Sequence, residues 1–208
     1  AVTGGAPVAL ADMPSQAPLG LSWSGDHTIL YVDGNDNSIR RVSENGGEPE
    51  RLITLEGRLL SHPQRLPHGD WILYTRQTTN SAGGVGDAEI VVVSPSSGEQ
   101  RTLLAGATDV RYLPTGHLVY ASQGVLYAVA FDAERLAVTG RAVPVIEGVQ
   151  LTATGLAQFD VSDTGTLVYI PGPARPSGEG FALAVADRAG QVTRADNGPT
   201  GPYVTVRA

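Results

Sequence analysis

The chain has 208 residues, 41% of them hydrophobic and 17% charged, with 26 glycines, 14 prolines and no cysteine. A chain this long buries about 70% of the surface its unfolded form exposes, and abundant Gly and Pro with little charge point to many short strands rather than helices. The net charge of −7 argues against nucleic acid as a partner, no apolar run reaches the roughly 18–20 residues that span a bilayer, and the missing cysteine removes disulfides, thiolate nucleophiles and sulfur-ligated metals. With neither a starting Met nor a signal peptide, the chain reads as a processed or excised segment.

At the N-terminus, residues 4–10 match the outer strand of a unit whose other strands are missing, by likeness to residues 46–52. The first full unit, 17–57, is expected to hold strands at 20–23, 28–32, 38–43 and 49–54. Its period is two, with Ile39, Arg41 and Ser43 alternating against Arg40, Val42 and Glu44. Asn45, Gly46 and Gly47 supply the positive φ of a hairpin turn. The second unit, 58–107, has strands at 59–66, 71–77, 89–94 and 100–104, with residues 78–87 read as a long exposed loop, too polar and Gly-rich to pair. The third, 108–149, has strands at 109–113, 117–121, 125–132 and 142–147. The fourth, 150–200, has strands at 158–161, 166–170, 181–187 and 191–195 and a second flexible loop at 171–180. Residues 202–208 resemble the innermost strand of a further unit.

These units are copies of one another. In each, a polar turn carrying Gly or Asp runs into an apolar strand that ends in tyrosine; the four segments open at Trp23, Leu66, Leu113 and Val161 and close at Tyr31, Tyr74, Tyr120 and Tyr169. Successive tyrosines stand 43, 46 and 49 residues apart, close to the roughly 40–50 of one four-stranded propeller blade. The fold class is therefore all-β: a β-propeller of about four complete four-stranded blades with orphan strands at both termini. Because an open stack leaves unpaired edges and an uncovered apolar face, the ring is expected to close by a shared partial fifth blade, by a second copy of the chain, or by further sequence.

The turn-plus-strand units resemble the TolB-like, WD40-like propellers, whose Ser-Pro-Asp-Gly signature is degraded here to Ser24-Gly25-Asp26, Pro67-His68-Gly69, Pro114-Thr115-Gly116 and Ser162-Asp163-Thr164-Gly165. Residues 113–120, 124–132, 136–140 and 144–148 resemble more specifically the propeller found C-terminal to membrane-anchored serine/threonine kinase domains in bacteria. That resemblance implies an extracytoplasmic binding role. No Gly-x-Gly-x-x-Gly, His-Arg-Asp or Asp-Phe-Gly is present, so any kinase activity belongs to other sequence.

Candidate chemistry is sparse. Asp33, Asn35 and Asp36 offer oxygen ligands in the manner of a calcium loop but lack its spacing and distal Glu; a plain Asn/Asp/Gly hairpin explains them equally well. His27, His68 and His117 fall at the repeated turn, whereas His62 lies on an innermost strand, where a side chain can enter the central channel. The recurring tyrosines, with Trp23 and Trp71, read as the wedge between neighbouring sheets rather than as a platform for sugar or peptide. Features that do not repeat are better ligand-binding candidates: the two loops, His62, and the inner-strand residues Arg65, Arg111 and Gln158, with Arg65 and Arg111 able to hold a carboxylate together or to stand solvated near the ring surface. No Gly-x-Ser-x-Gly elbow occurs, and neither catalytic residues nor a cofactor are expected. The reading is a non-enzymatic module for a protein, peptide or small-molecule ligand, set against a lactonase-type or peptidase-associated propeller and against a structural module that closes its ring as a homodimer.

Overall fold

A computed structural model describes residues 8–12, 19–79, 85–152, 155–172, 184–186 and 190–194, and among these there is no helix. The strands form four antiparallel sheets. Blade one is β1 (Leu21–Trp23), β2 (Thr28–Asp33), β3 (Ser38–Ser43) and β4 (Glu50–Thr54); blade two is β5 (Arg58–Arg65), β6 (Ile72–Thr79), β7 (Val85–Val93) and β8 (Gln100–Ala105). Blade three is β9 (Thr108–Leu113), β10 (His117–Ser122), β11 (Val125–Asp132) and β13 (Val143–Glu147), with the two-residue β12 (Ala137–Val138) also paired to β11. Blade four is β14 (Phe159–Val161), β15 (Leu167–Tyr169), β16 (Ala184–Ala186) and β17 (Val192–Arg194). Each blade follows chain order from inside to outside, as the four complete four-stranded blades expected from the repeats require.

Because side chains alternate along each strand, every blade has two faces to cover, and neighbouring blades cover them for one another. Leu30, Val32 and Ile39 of blade one pack with Leu60, Ile72, Tyr74 and Val91 of blade two. Leu73, Ile90 and Val92 on the other face of blade two meet Val110, Leu118, Tyr120 and Phe131. Val119, Ala121 and Leu126 then meet Phe159, Leu167 and Tyr169 of blade four. All four repeat tyrosines are buried, and Tyr74, Tyr120 and Tyr169 lie in these clusters between blades, as expected of a wedge.

Several expectations are corrected. The segment 78–87 is not a long loop: β6 runs through Thr79 and β7 begins at Val85, with Thr79 opposite Val85 and an irregularity after Gln77. Main-chain pairing tolerates polar side chains, and the irregularity absorbs the extra residue; residues 80–84 lie outside those described. Of the second loop, Pro171 forms an isolated bridge to Val149, and 173–180 lie outside the described residues. In the N-terminal segment the Gly47 N–H donates to the Leu10 carbonyl at 3.3 Å; residues 4–7 and 202–208 also lie outside the described residues.

Candidate functional site

The innermost strands bring four equivalent positions towards the propeller axis. Eleven residues before Tyr31, Tyr120 and Tyr169 stand Gly20, Asp109 and Gln158. Twelve before Tyr74 stands His62, where the β5–β6 pairing is irregular between Ser61 and Gln64. Neighbouring blades are stitched together here. The His62 N–H donates to the Leu19 carbonyl at 2.9 Å, and the Ala157 N–H donates to Asp109 Oδ2 at 2.7 Å. Gln64 clamps the Tyr112 backbone with both ends of its amide, donating to the carbonyl at 3.0 Å and accepting from the N–H at 2.7 Å.

Gly20 is needed for this approach. It holds φ +108, and a Cβ on it would stand 2.8 Å from both Cα and N of His62, closer than any packed methyl can sit. His62 and Asp109 themselves hold left-handed backbone, φ 51 and 54, a strain of about 1–3 kcal/mol each that surrounding structure must impose.

His62 Nδ1 stands 2.8 Å from Asp109 Oδ1. The two are close but out of line, so neither atom completes a well-directed hydrogen bond. Burial, and then the neighbouring Arg111 charge, push the His62 pKa below its usual 6.5, so the ring is neutral at neutral pH. Burial would raise the Asp109 carboxyl, but the His62 contact and the Ala157 N–H outweigh it and hold Asp109 below the usual carboxylate value. Nδ1 is buried, and the 16% of the His62 side chain that remains accessible belongs to the rest of the ring.

That accessible edge faces a cavity of about 440 Å³ lined from all four blades, by Ser22 and Trp23, by His62 and Gln64, by Arg111, and by residues 160–164. Arg111 Nε donates to Asp160 Oδ1 at 3.1 Å and Nη1 to the Val110 carbonyl at 3.0 Å, and the guanidinium lies 5.6 Å over the Phe159 ring. Arg111 and Asp160 thus neutralise each other, while Asp163 adds a further carboxylate to the lining. Ser22 Oγ is buried without a hydrogen-bond partner. Trp23 is 64% exposed, and its indole N–H donates to Glu44 Oε2 at 3.0 Å while His27 Nδ1 lies 2.7 Å from the other carboxylate oxygen. A second, apolar cavity of about 240 Å³ between blades three and four is lined by Leu113, Val119, Leu126, Val145 and Leu167.

Of the residues singled out from sequence, His62 and Arg111 meet in the axial cavity; Arg65 and Gln158 do not. Arg65 Nε instead faces Asp26 at 3.4 Å, so the two arginines form no joint carboxylate clamp. Gln158 occupies the axial position of blade four but is buried, its backbone bonded to Gln150 and Ile170. Asp33, Asn35 and Asp36 form a hairpin whose carboxylates face arginine: Asp36 Oδ2 takes Arg40 at 2.7 Å and Arg51 at 2.6 Å, Asp33 Oδ2 lies 3.3 Å from Arg40, and Asp33 Oδ1 accepts the Asn35 N–H at 3.1 Å. Among the described residues no group of three or more His, Cys, Asp or Glu side chains is placed to hold a metal.

Trp23, Ser22, Gln64, Asp109 and Asp160 were missed. Asp109 was legible by counting back from Tyr120 as His62 is counted from Tyr74. Trp23 was assigned to the core by its place in the repeat, yet it is 64% exposed. The ladders pair Trp23, Arg65, Tyr112 and Val161 with the residue two before each tyrosine, whereas the sequence aligned Trp23 with Leu66 and Leu113. A slip of one residue exchanges the two faces of a strand; in the observed register Tyr112 and Val161 pack against core clusters, whereas Trp23 lies on the face of blade one opposite Leu30 and Val32, which pack on blade two.

No family model matches this chain, and no curated protein matches it by sequence. Among solved structures it superposes on a luciferin-regenerating enzyme with a TM-score of 0.56 at 9% identity, over 86% of this chain and 76% of that one. A chain of a nidogen/laminin complex gives 0.54 at 15% identity, over 89% and 82%. A puromycin-hydrolyzing peptidase of Mycobacterium tuberculosis gives 0.53 at 11% identity, over 90% of this chain and 40% of that one. The shared fold is a β-propeller. At these identities the propeller is what the proteins have in common, and the chemistry of each site stands on its own residues.

Proposed function

We propose that this propeller is a ligand-binding module whose site is the axial cavity. The observation that carries the reading is the convergence of inner-strand polar groups from all four blades on one concave space, with His62, Arg111 and Asp160 held by neighbours rather than left to solvent. A rigid ring that presents groups already oriented lowers the ordering cost of binding. The TolB-like motifs support placing the module in the sensor part of a larger signalling protein, outside the cytoplasm, next to a membrane-anchored kinase domain. Ring closure through the terminal segments of two chains is the accompanying assembly proposal. A thermal-shift screen of small molecules, run on the wild type and on Arg111→Leu, tests the site: ligands that raise the wild-type Tm should lose that effect in the variant. Ligands that stabilise both equally would move the site elsewhere.

One observation favours the rival reading of a propeller enzyme. A neutral histidine backed by a buried carboxylate is the arrangement of a general base, and His62 and Asp109 supply it at the cavity wall. Turnover lost in both His62→Gln and Asp109→Asn, with binding retained, would establish that reading over the first.

A further inference from the structure

We infer that the seam between blades three and four is a second binding site, and that it takes an unbranched aliphatic chain. The site is the apolar cavity of about 240 Å³ and is independent of the axial one; of their described lining residues only Val161 is common to both.

The cavity has a cause in the sequence. Between blades two and three, Leu73 and Val92 pair across β6 and β7 and pack against Leu118 and Val129, which pair across β10 and β11. Between blades three and four the same slots hold Val119 and Ala128 on one side and Leu167 and Ala186 on the other. One side-chain carbon is lost at Val119 and two at each of Ala128 and Ala186, and all four residues line the cavity. On a shared blade framework, smaller side chains leave space that their neighbours only partly reclaim.

The mouth of the seam differs in the same way. Between blades two and three, Trp71 packs on the core and the Arg101 guanidinium lies 5.5 Å over its ring. The counterparts here are His117 and Val143: His117 stands three residues before Tyr120 as Trp71 stands three before Tyr74, and Val143 pairs with Ala128 as Arg101 pairs with Val92. His117 Nδ1 turns back to the Thr115 carbonyl at 3.1 Å, and Val143 and Val145 are exposed. Without a lid the cleft opens to solvent through an apolar rim.

The chemistry of the lining selects the occupant. Its side chains are Leu, Val, Ile and Ala, joined by Gly165 and Gly190, and among the described residues that line it there is no aromatic ring, hydroxyl or charge. The strand backbones that carry them are paired in their ladders, so a water molecule there lacks the two to four polar partners it needs. An apolar cavity of about 150 Å³ already binds benzene. This one is larger and elongated, running from Leu113 and Val161 on innermost strands to Val145 and Ile146 on an outer one, three strand spacings or roughly 14 Å. A flexible chain fills such a cleft better than a compact ring does, with its polar head left in solvent at the rim.

The test is methyl NMR of the protein titrated with 1-butanol, 1-hexanol, cyclohexanol and 1-octanol, and with octanoate and octylamine. The expected result is saturable shifts of the Val119, Leu126 and Leu167 methyls, with affinity rising about fourfold per added methylene while the chain still fits. The three eight-carbon probes should bind alike, because no charge lines the cleft. Val119→Leu with Ala128→Val and Ala186→Val gives this seam the side chains of its neighbour; it should keep or raise the Tm and bind octanol at least tenfold more weakly. His117→Trp with Val143→Arg rebuilds the lid from two exposed positions and should weaken binding with the core untouched. Arg111→Leu should bind octanol as the wild type does. Absence of saturable shifts, affinity independent of chain length, preference for cyclohexanol over 1-hexanol, or undiminished binding in both the filled and the lidded variants overturns the inference. Binding lost in Arg111→Leu but kept in the filled variant would put the chain in the axial cavity, so that the seam site falls while the axial one stands.

Discussion

His62 and Asp109 face each other across the seam between blades two and three, Nδ1 2.8 Å from Oδ1, both on left-handed backbone and both drawn to the axis by the innermost strands. Their titration is a stability statement. The folded His62 has a pKa below its usual 6.5, so between those two values the unfolded chain binds the proton first and the fold loses stability as pH falls. Asp109, held below its usual value, contributes in the same direction, but only at more acid pH. Thermal melts from pH 7 to pH 5 should show the wild-type Tm falling, with a shallower fall in His62→Gln. Equal slopes would mean that His62 titrates as it does in the unfolded chain.

Gly20 offers the sharpest test of the axial packing. Gly20→Ala places a methyl 2.8 Å from His62 backbone atoms and forces an L-residue to φ +108. The expected loss is about 2 kcal/mol or more in urea unfolding. A loss under about 0.5 kcal/mol, within the range of a neutral surface change, would show that blades one and two are not pressed together there.

Tyr74 separates the two halves of a tyrosine. Its ring is fully buried between blades one and two, its hydroxyl has no partner, and burial pushes its pKa up to about 12. Tyr74→Phe removes an unpaired polar group and should be neutral or stabilising by about 1 kcal/mol, while Tyr74→Ala should cost about 3–5 kcal/mol, as for other large buried aromatics. A destabilising Tyr74→Phe would reveal a bonded hydroxyl.

Asp36 decides between hairpin and metal loop. Its carboxylate receives Arg40, Arg51 and Ser38, so Asp36→Asn should cost about 1 kcal/mol, the scale of a partly exposed ion pair. Added calcium should leave the wild-type Tm unchanged. A calcium-dependent rise that disappears in Asp36→Asn would restore the metal reading.

The blades were legible because burial repeats: Tyr31, Tyr74, Tyr120 and Tyr169 are covered at one slot of every copy and announce themselves by recurrence. Half of the site was legible for the opposite reason, since His62 and Arg111 stand out as polar residues on apolar strands that do not repeat. The count back from Tyr120 reaches Asp109, but its pairing with His62 was not legible, because the partner lies in another blade, 47 residues away in sequence, and no local pattern marks such a pair. Arg65 was misplaced because alternation specifies which face a residue takes only once the register is known.

The chain's own order of residues settled what is local and periodic: strands, turns, the number of blades, and which side chains must be covered. Only the folded ring decided which of the uncovered ones meet. Turns that differ by one residue, between Arg65 and Ile72 as against Trp23 and Ile29, shift strand register and exchange faces. That is why Arg65 turns to Asp26 while Arg111 turns to Asp160.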